Sequence, residues 1–307
     1  MIIDVEGLAK RFGRTDALVD LSLQVAPGEV FGFLGPNGAG KTTAVKLLLG
    51  MTRPTAGRGS VLGAPLGDRW ARARIGYLPE LFRYQPWLRA REVMELHGRL
   101  ITAGGRDRRA AVGPVTGPAI DATLAEVGLA DRADDAVGGF SKGMQQRLGL
   151  GVALLGSPSL VILDEPTSAL DPVGRVDVRG IIRRAREAGT TVFLNSHLLT
   201  EVERVCDRVA IVDHGRVLAS GRLEELLGAS SVRIRVTDLP AAGIVALERF
   251  GPVARSDDGV SVSPVDPADI PDVVASIVTA GGRVHAVETG RTTLEERFLA
   301  MVGEGDR

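Results

Sequence analysis

The stretch GPNGAGKT, Gly35 to Thr42, fits G-x-x-x-x-G-K-[ST] and lies between a β-type segment, VFGFL (30–34), and a helical one, KTTAVKLLLGM (41–51). A strand that feeds a glycine-rich turn into a helix N-terminus leaves few folds open. The glycines let the main chain close around an anion, and the helix end offers free N–H groups carrying about half a positive charge. Loop amides would wrap a β-phosphate, Lys41 would reach the β and γ oxygens, and the Thr42 hydroxyl would face Mg²⁺. The sequence holds only four lysines, so a lysine at this point is not drawn from a lysine-rich background.

Such a loop needs acidic partners, and LVILDEP (160–166) supplies them. Four apolar residues make a buried strand, at whose end Asp164 can hold a metal and Glu165 can orient and deprotonate an attacking water. The plainer reading is a pair of strand-end carboxylates engaged in ion pairs. His197, directly after TVFLNS, could meet the γ-phosphate or the water from the far side; the alternative is a histidine with a structural role. A second anion site stands at FSKGMQQR (140–147), where Ser141 and the Gly143 amide open a helix.

Apolar runs at 160–163, 191–195 and 208–212 alternate with helical stretches, which implies a mostly parallel sheet with helices packed on it. The region 89–156 is mainly helical by period, with AAVGPVTGPAI (110–120) expected as a surface loop. From about residue 230 the segments run in the order βαββαβ, that of a small split βαβ sandwich. Lysine plus arginine (37) nearly cancels aspartate plus glutamate (38), which argues against nucleic acid as a partner. The single cysteine, Cys206, is expected as core filler, and the longest apolar run, LGLGVALLG (148–156), is about half of what a bilayer-spanning helix needs. The opening MIIDVEGLAK lacks the order of a signal peptide.

Taken together, GPNGAGKTT, FSKGMQQR, LVILDEPTSALD and NSH resemble the Walker A, signature, Walker B with D-loop, and switch histidine of ATP-binding cassette (ABC) transporter ATPases, over about residues 1–225. The resemblance implies an α/β fold: a P-loop NTPase-type cassette over 1–228, with a mostly parallel sheet core, an antiparallel β subdomain and a helical subdomain at about 89–156. A small α+β ferredoxin-like domain would occupy 229–307. It implies ATP bound by Phe12, Gly35, Pro36, Asn37, Gly38, Ala39, Gly40, Lys41, Thr42 and Thr43, and Mg²⁺ held by Thr42, Glu80 and Asp164. Glu165 and His197 would be catalytic. Phe12 would stack on adenine, unless its alternating strand simply buries it.

In that family Ser141, Lys142, Gly143, Met144 and Gln145 would face the ATP of a second cassette, and Asp171, closing SALD, would lie at the interface. Lys142 and Met144 depart from the commonest signature, Leu-Ser-Gly-Gly-Gln, and Glu80 stands at the Q-loop glutamine. An ionised carboxylate there accepts but cannot donate a hydrogen bond. The implied partners are a homodimer or paired cassette formed on ATP binding and integral membrane permease subunits, with no nucleic acid. The implied place is cytoplasmic, peripheral on the inner face of the membrane. SKGMQQR, NSHLLTEVE and LEERFLAMVG most resemble ATPase subunits of bacterial drug, antibiotic or lipid exporters; an importer ATPase and a soluble mechanoenzyme are the alternatives. Phe82, Tyr84 and Trp87 suit either a docking groove for a partner helix or core packing.

Overall fold

The computed structural model describes residues 1–103, 114–168, 170–228, 230–256, 258–290 and 293–305. The chain divides into two compact units, Met1–Gly221 and Arg222–Arg307. In the first, β1 (Ile3–Phe12) and β2 (Thr15–Val25) pair antiparallel, followed by β3 (Val30–Leu34), α1 (Lys41–Leu48), β4 (Ala56–Val61) and β5 (Ala64–Pro65). Next come α2 (Arg69–Arg72), β6 (Ile75–Leu78), α3 (Ala90–Ala103), α4 (Gly117–Glu126), α5 (Lys142–Leu154) and β7 (Leu160–Asp164). The unit closes with α6 (Pro172–Glu187), β8 (Thr191–Ser196), α7 (Leu199–Val205), β9 (Arg208–Asp213) and β10 (Arg216–Arg222).

These strands form one sheet in the order β5-β4-β1-β2-β10-β9-β3-β8-β7-β6. β3 is parallel to both β8 and β9, and β7 is parallel to both β8 and β6. Every residue of β3, β7 and β8 is buried, as a parallel sheet covered on both faces requires, whereas β2 shows the in-and-out alternation of a half-exposed antiparallel strand. The core against α1 is anchored by Phe193, whose ring lies 5.9 Å from that of Phe31 and 5.4 Å from that of Phe33. Gly32 on β3 lets Cys206, Val202 and Val209 pack against the strand, since a methyl group there would press on all three.

The second unit holds α8 (Leu223–Leu227), β11 (Ser231–Thr237), α9 (Ala241–Leu247), β12 (Val253–Ser256), β13 (Gly259–Val262), α10 (Ile270–Thr279), β14 (Arg283–Gly290) and α11 (Leu294–Gly305). Its sheet order, β12-β13-β11-β14, is that of a split βαβ sandwich, with Val232, Ile234, Val260 and Val262 packed on Val273 and Ile277 of α10. Because α8 packs on α11, the units divide at 221/222 rather than at the expected 228/229.

Two further expectations change. Of the loop at 110–120, residues 110–113 lie outside the described residues, while 117–120 already form the first turn of α4, capped by the Thr116 hydroxyl. The aromatics after β6 split in their roles. Phe82 packs on Tyr84 (5.4 Å) and Tyr84 meets His97 edge-on (5.6 Å), whereas Trp87 is 71% exposed. None of the described helices is long and apolar enough to cross a membrane.

Cys206 is buried as expected, and burial pushes its thiol well above the usual range, with Asp207 adding to the shift. As the chain's one cysteine, it gives a clean readout. A thiol-exchange reagent at neutral pH is expected to label the native protein at least ~10²-fold more slowly than the urea-unfolded chain. Equal rates would contradict this packing.

Candidate functional site

Four neighbouring parallel strands end at one place. β3 runs into the loop Gly35–Gly40, β8 ends just before His197, β7 ends just before Glu165, and β6 ends two residues before Glu80. Side chains from different strands meet at such an edge because the connections all leave it on the same side.

The phosphate-type loop depends on two glycines. Gly40, the residue preceding α1, has φ 95°, and a side chain on it would collide with the Ala17 carbonyl and Leu18. A side chain on Gly35 would collide with the Val212 carbonyl. Asn37 and Gly38 are exposed, Pro36 is half-buried and accepts from the Ala39 N–H at 3.2 Å, and Ala39 is buried. Lys41 is 8% exposed and donates from Nζ to Gly35 O (2.6 Å) and Pro36 O (3.1 Å). Burial lowers its pKa, opposed by the charges of Glu165, Asp164 and Glu80, which places all three carboxylates within electrostatic reach of one ammonium. Thr42 is exposed beside it, and Thr43 is half-buried.

Asp164 is buried at the end of β7, and that burial raises its pKa. A hydrogen bond from Asn195 Nδ2 (2.5 Å) and the Lys41 charge pull the other way, while Glu80 and Glu165 add to the rise. Glu165 is also buried, and its backbone sits at φ 52°, in the left-handed region that favours glycine. Its N–H is fixed by Asn195 O at 2.8 Å. Its carboxylate meets His197 Nδ1 at 2.8 Å through Oε1 and the Ser196 hydroxyl at 3.4 Å through Oε2. A non-glycine residue held there stores about 1–3 kcal/mol of strain, a mark of functional sites. His197 itself is half exposed, so the carboxylate fixes one ring nitrogen while the ring faces solvent.

The other candidates lie elsewhere. Ser141 caps α5 by accepting from the Met144 N–H (3.2 Å), and Gln145 donates from Nε2 to Phe140 O (3.2 Å). Asp171 caps α6 by accepting from the Gly174 N–H at 2.7 Å. The two capped ends share a cleft of about 360 Å³ that Ser141, Lys142, Gly143, Asp171 and Asp177 help to line. The two cap hydrogen bonds each stay within their own helix end. Phe12 is 50% exposed at the end of β1, with Lys10 Nζ 4.9 Å from its ring centre, so the strand does not bury it.

Sequence reasoning missed Asn195, Ser196 and the buried ion pair Arg179–Glu201 (2.6 Å), which joins α6 to α7. The available signal was a polar pair closing an otherwise apolar strand, TVFLNS.

Residues 18–168 match the family described as ABC transporter. The chain is 37% identical to the Daunorubicin resistance ATP-binding protein DrrA3 of Streptomyces coeruleorubidus, across 99% of this chain and 97% of that protein. It belongs to the ABC transporter ATP-binding proteins. The Nod factor export ATP-binding protein I of Rhizobium sp. is 39% identical over 76% of each chain. The fold agrees with that of a solved ATP-binding subunit of an ABC transporter, with a TM-score of 0.63 and 28% identity over 74% of this chain and 92% of that one. The chain is thus an ATP hydrolase of the ABC type, built on a P-loop NTPase cassette.

Gly40→Ala is expected to lower stability by about 1–3 kcal/mol and to weaken nucleotide binding, because the loop must move away from Ala17 to admit a methyl group. Thermal melts and titration with a fluorescent ATP analogue check both. Wild-type affinity would mean that this loop does not set the nucleotide's position.

Proposed function

We propose that this ABC ATPase drives export of a drug, antibiotic, lipid or similar substrate through separate membrane-embedded permease subunits, with ATP closing two cassettes head to tail. The observation that carries the reading is the convergence of Lys41, Asp164, Glu165 and Glu80 at the end of four adjacent parallel strands, with His197 tied to Glu165. The printed names of the drug-resistance and Nod factor export relatives favour export.

In this reading the loop amides and Lys41 take the β and γ oxygens, and the exposed Phe12 ring stacks on the base. The Glu165 carboxylate orients the attacking water and accepts its proton, because it is held on one side by Ser196 and on the other by His197. Ser141 and the Gly143 amide, at the start of a 13-residue helix, contact the γ-phosphate held by the other copy. The exposed Lys142 adds positive charge there, and Asp171 lies at the same interface.

The residues fit Mg²⁺ as the companion ion. No group of three or more histidine, cysteine or acidic residues forms a metal cage among the described residues, but Mg²⁺ on a nucleotide asks only one or two protein ligands, with phosphates and water completing the shell. The exposed Thr42 hydroxyl and the Asp164 oxygen not bonded to Asn195 meet that demand, and Glu80 adds negative charge that acts on Asp164. Bound there, Mg²⁺ would draw charge from the phosphate oxygens as the terminal bond breaks.

Glu165→Gln is expected to bind ATP normally, to hydrolyse it at least ~10²-fold more slowly, and to accumulate as an ATP-bound dimer in size-exclusion chromatography with light scattering. Turnover near the wild-type rate would remove Glu165 as the base. Adding Ser141→Arg to that variant should abolish the dimer while the monomer still binds ATP; loss of ATP binding itself would contradict a signature that acts on the other copy's nucleotide. Copurification of an integral membrane subunit from detergent extracts checks the transporter role.

A further inference from the structure

Asn195 lies on β8, in register with Asp164 of β7 on one side and Phe33 of β3 on the other. Residues paired in this way project from the same face of the sheet, so the amide stands between an aromatic core and the acid proposed to hold the metal. Only 2% exposed, Asn195 makes two hydrogen bonds to the Asp164–Glu165 pair and leaves one acceptor unpaired. Its Nδ2 donates to Asp164 Oδ1, its main-chain carbonyl accepts from the Glu165 N–H, and its Oδ1 is buried with no donor among the described residues.

Core packing alone would not select this side chain. A leucine, with the same number of side-chain heavy atoms, would bury no unpaired acceptor beside Phe33. An aspartate would add a fourth carboxylate to three that already face a single ammonium. Asparagine is the residue of this size that offers a neutral donor and an acceptor together.

We propose that Asn195 is a positioning residue for the metal site: its Nδ2 holds Asp164 through Oδ1 and so presents Oδ2 to Mg²⁺, while its own Oδ1 accepts from a metal-bound water. The same residue fixes the backbone of Glu165, so one side chain and its peptide set where both the metal-side acid and the water-side base stand. Asn195 touches neither nucleotide nor attacking water in this scheme; it acts through Asp164. The inference rests on the Mg²⁺–ATP reading of the site.

The test uses the full chain, Mn²⁺ as the probe and a non-hydrolysable ATP analogue, with the Mn²⁺ affinity of the ternary complex read by paramagnetic resonance. Loss of an outer partner of a metal ligand commonly weakens metal binding about 10- to 100-fold. Asn195→Leu is expected to weaken Mn²⁺ by at least about tenfold while leaving the analogue's affinity in excess chelator unchanged. If a thermal melt shows that the leucine variant does not fold, Asn195→Ala carries the same expectation. Wild-type Mn²⁺ affinity in the folded variant overturns the proposal. So does an equal loss of metal-free nucleotide binding, which would mark a purely structural role. Wild-type protein that binds the analogue no better with Mn²⁺ than without it sinks the reading of the site itself rather than the part given to Asn195.

Discussion

The Lys41 side chain is buried against its loop, and drawing an ammonium away from water is costly unless nearby groups replace its hydration. Two loop carbonyls do so directly, and Asp164, Glu165 and Glu80 do so at longer range. Much of the cassette follows from this. Asp164 and Glu165 come from the end of β7, Glu80 from the end of β6 and Lys41 from the end of the loop after β3, so those strands must point the same way and end together. Parallel strands covered on both faces meet that demand, and the burial of every residue in β3, β7 and β8 is its sequence-level trace.

The balance at the site is lopsided, with three acids facing one lysine. A triphosphate entering such a place would be repelled by the carboxylates, so N–H donors and positive charge have to offset that repulsion. The Gly35–Gly40 loop is the first of these. The cleft between the caps of α5 and α6 is lined by Lys142 and Arg147 together with Asp171 and Asp177. A second copy bringing that cleft to the phosphates is the arrangement the proposed function invokes.

Much of this was legible in the sequence because it is written in residues whose backbone behaviour is unusual or whose chemistry is scarce. Glycines at 35 and 40 occupy places where a side chain would collide, and Lys41 is one of few lysines. The βαββαβ order of the second unit was readable from local period alone. What stayed hidden depended on neighbours distant in sequence. Asn195 becomes meaningful only because register sets it beside Asp164, 31 residues earlier. Arg179 and Glu201, 22 residues apart, meet only because α6 and α7 pack together. Helix α8 looked like the end of the cassette because nothing near it in the chain reveals that α11 is its partner.

If Glu165 is the base of the proposed function, its left-handed backbone sets stability and chemistry against each other at one position. A sequence optimised only for folding would put glycine there and relax the strand end. Variation that drifts toward greater robustness should therefore be resisted at this site, and a thermostable but inert cassette could differ from a working one by a single codon.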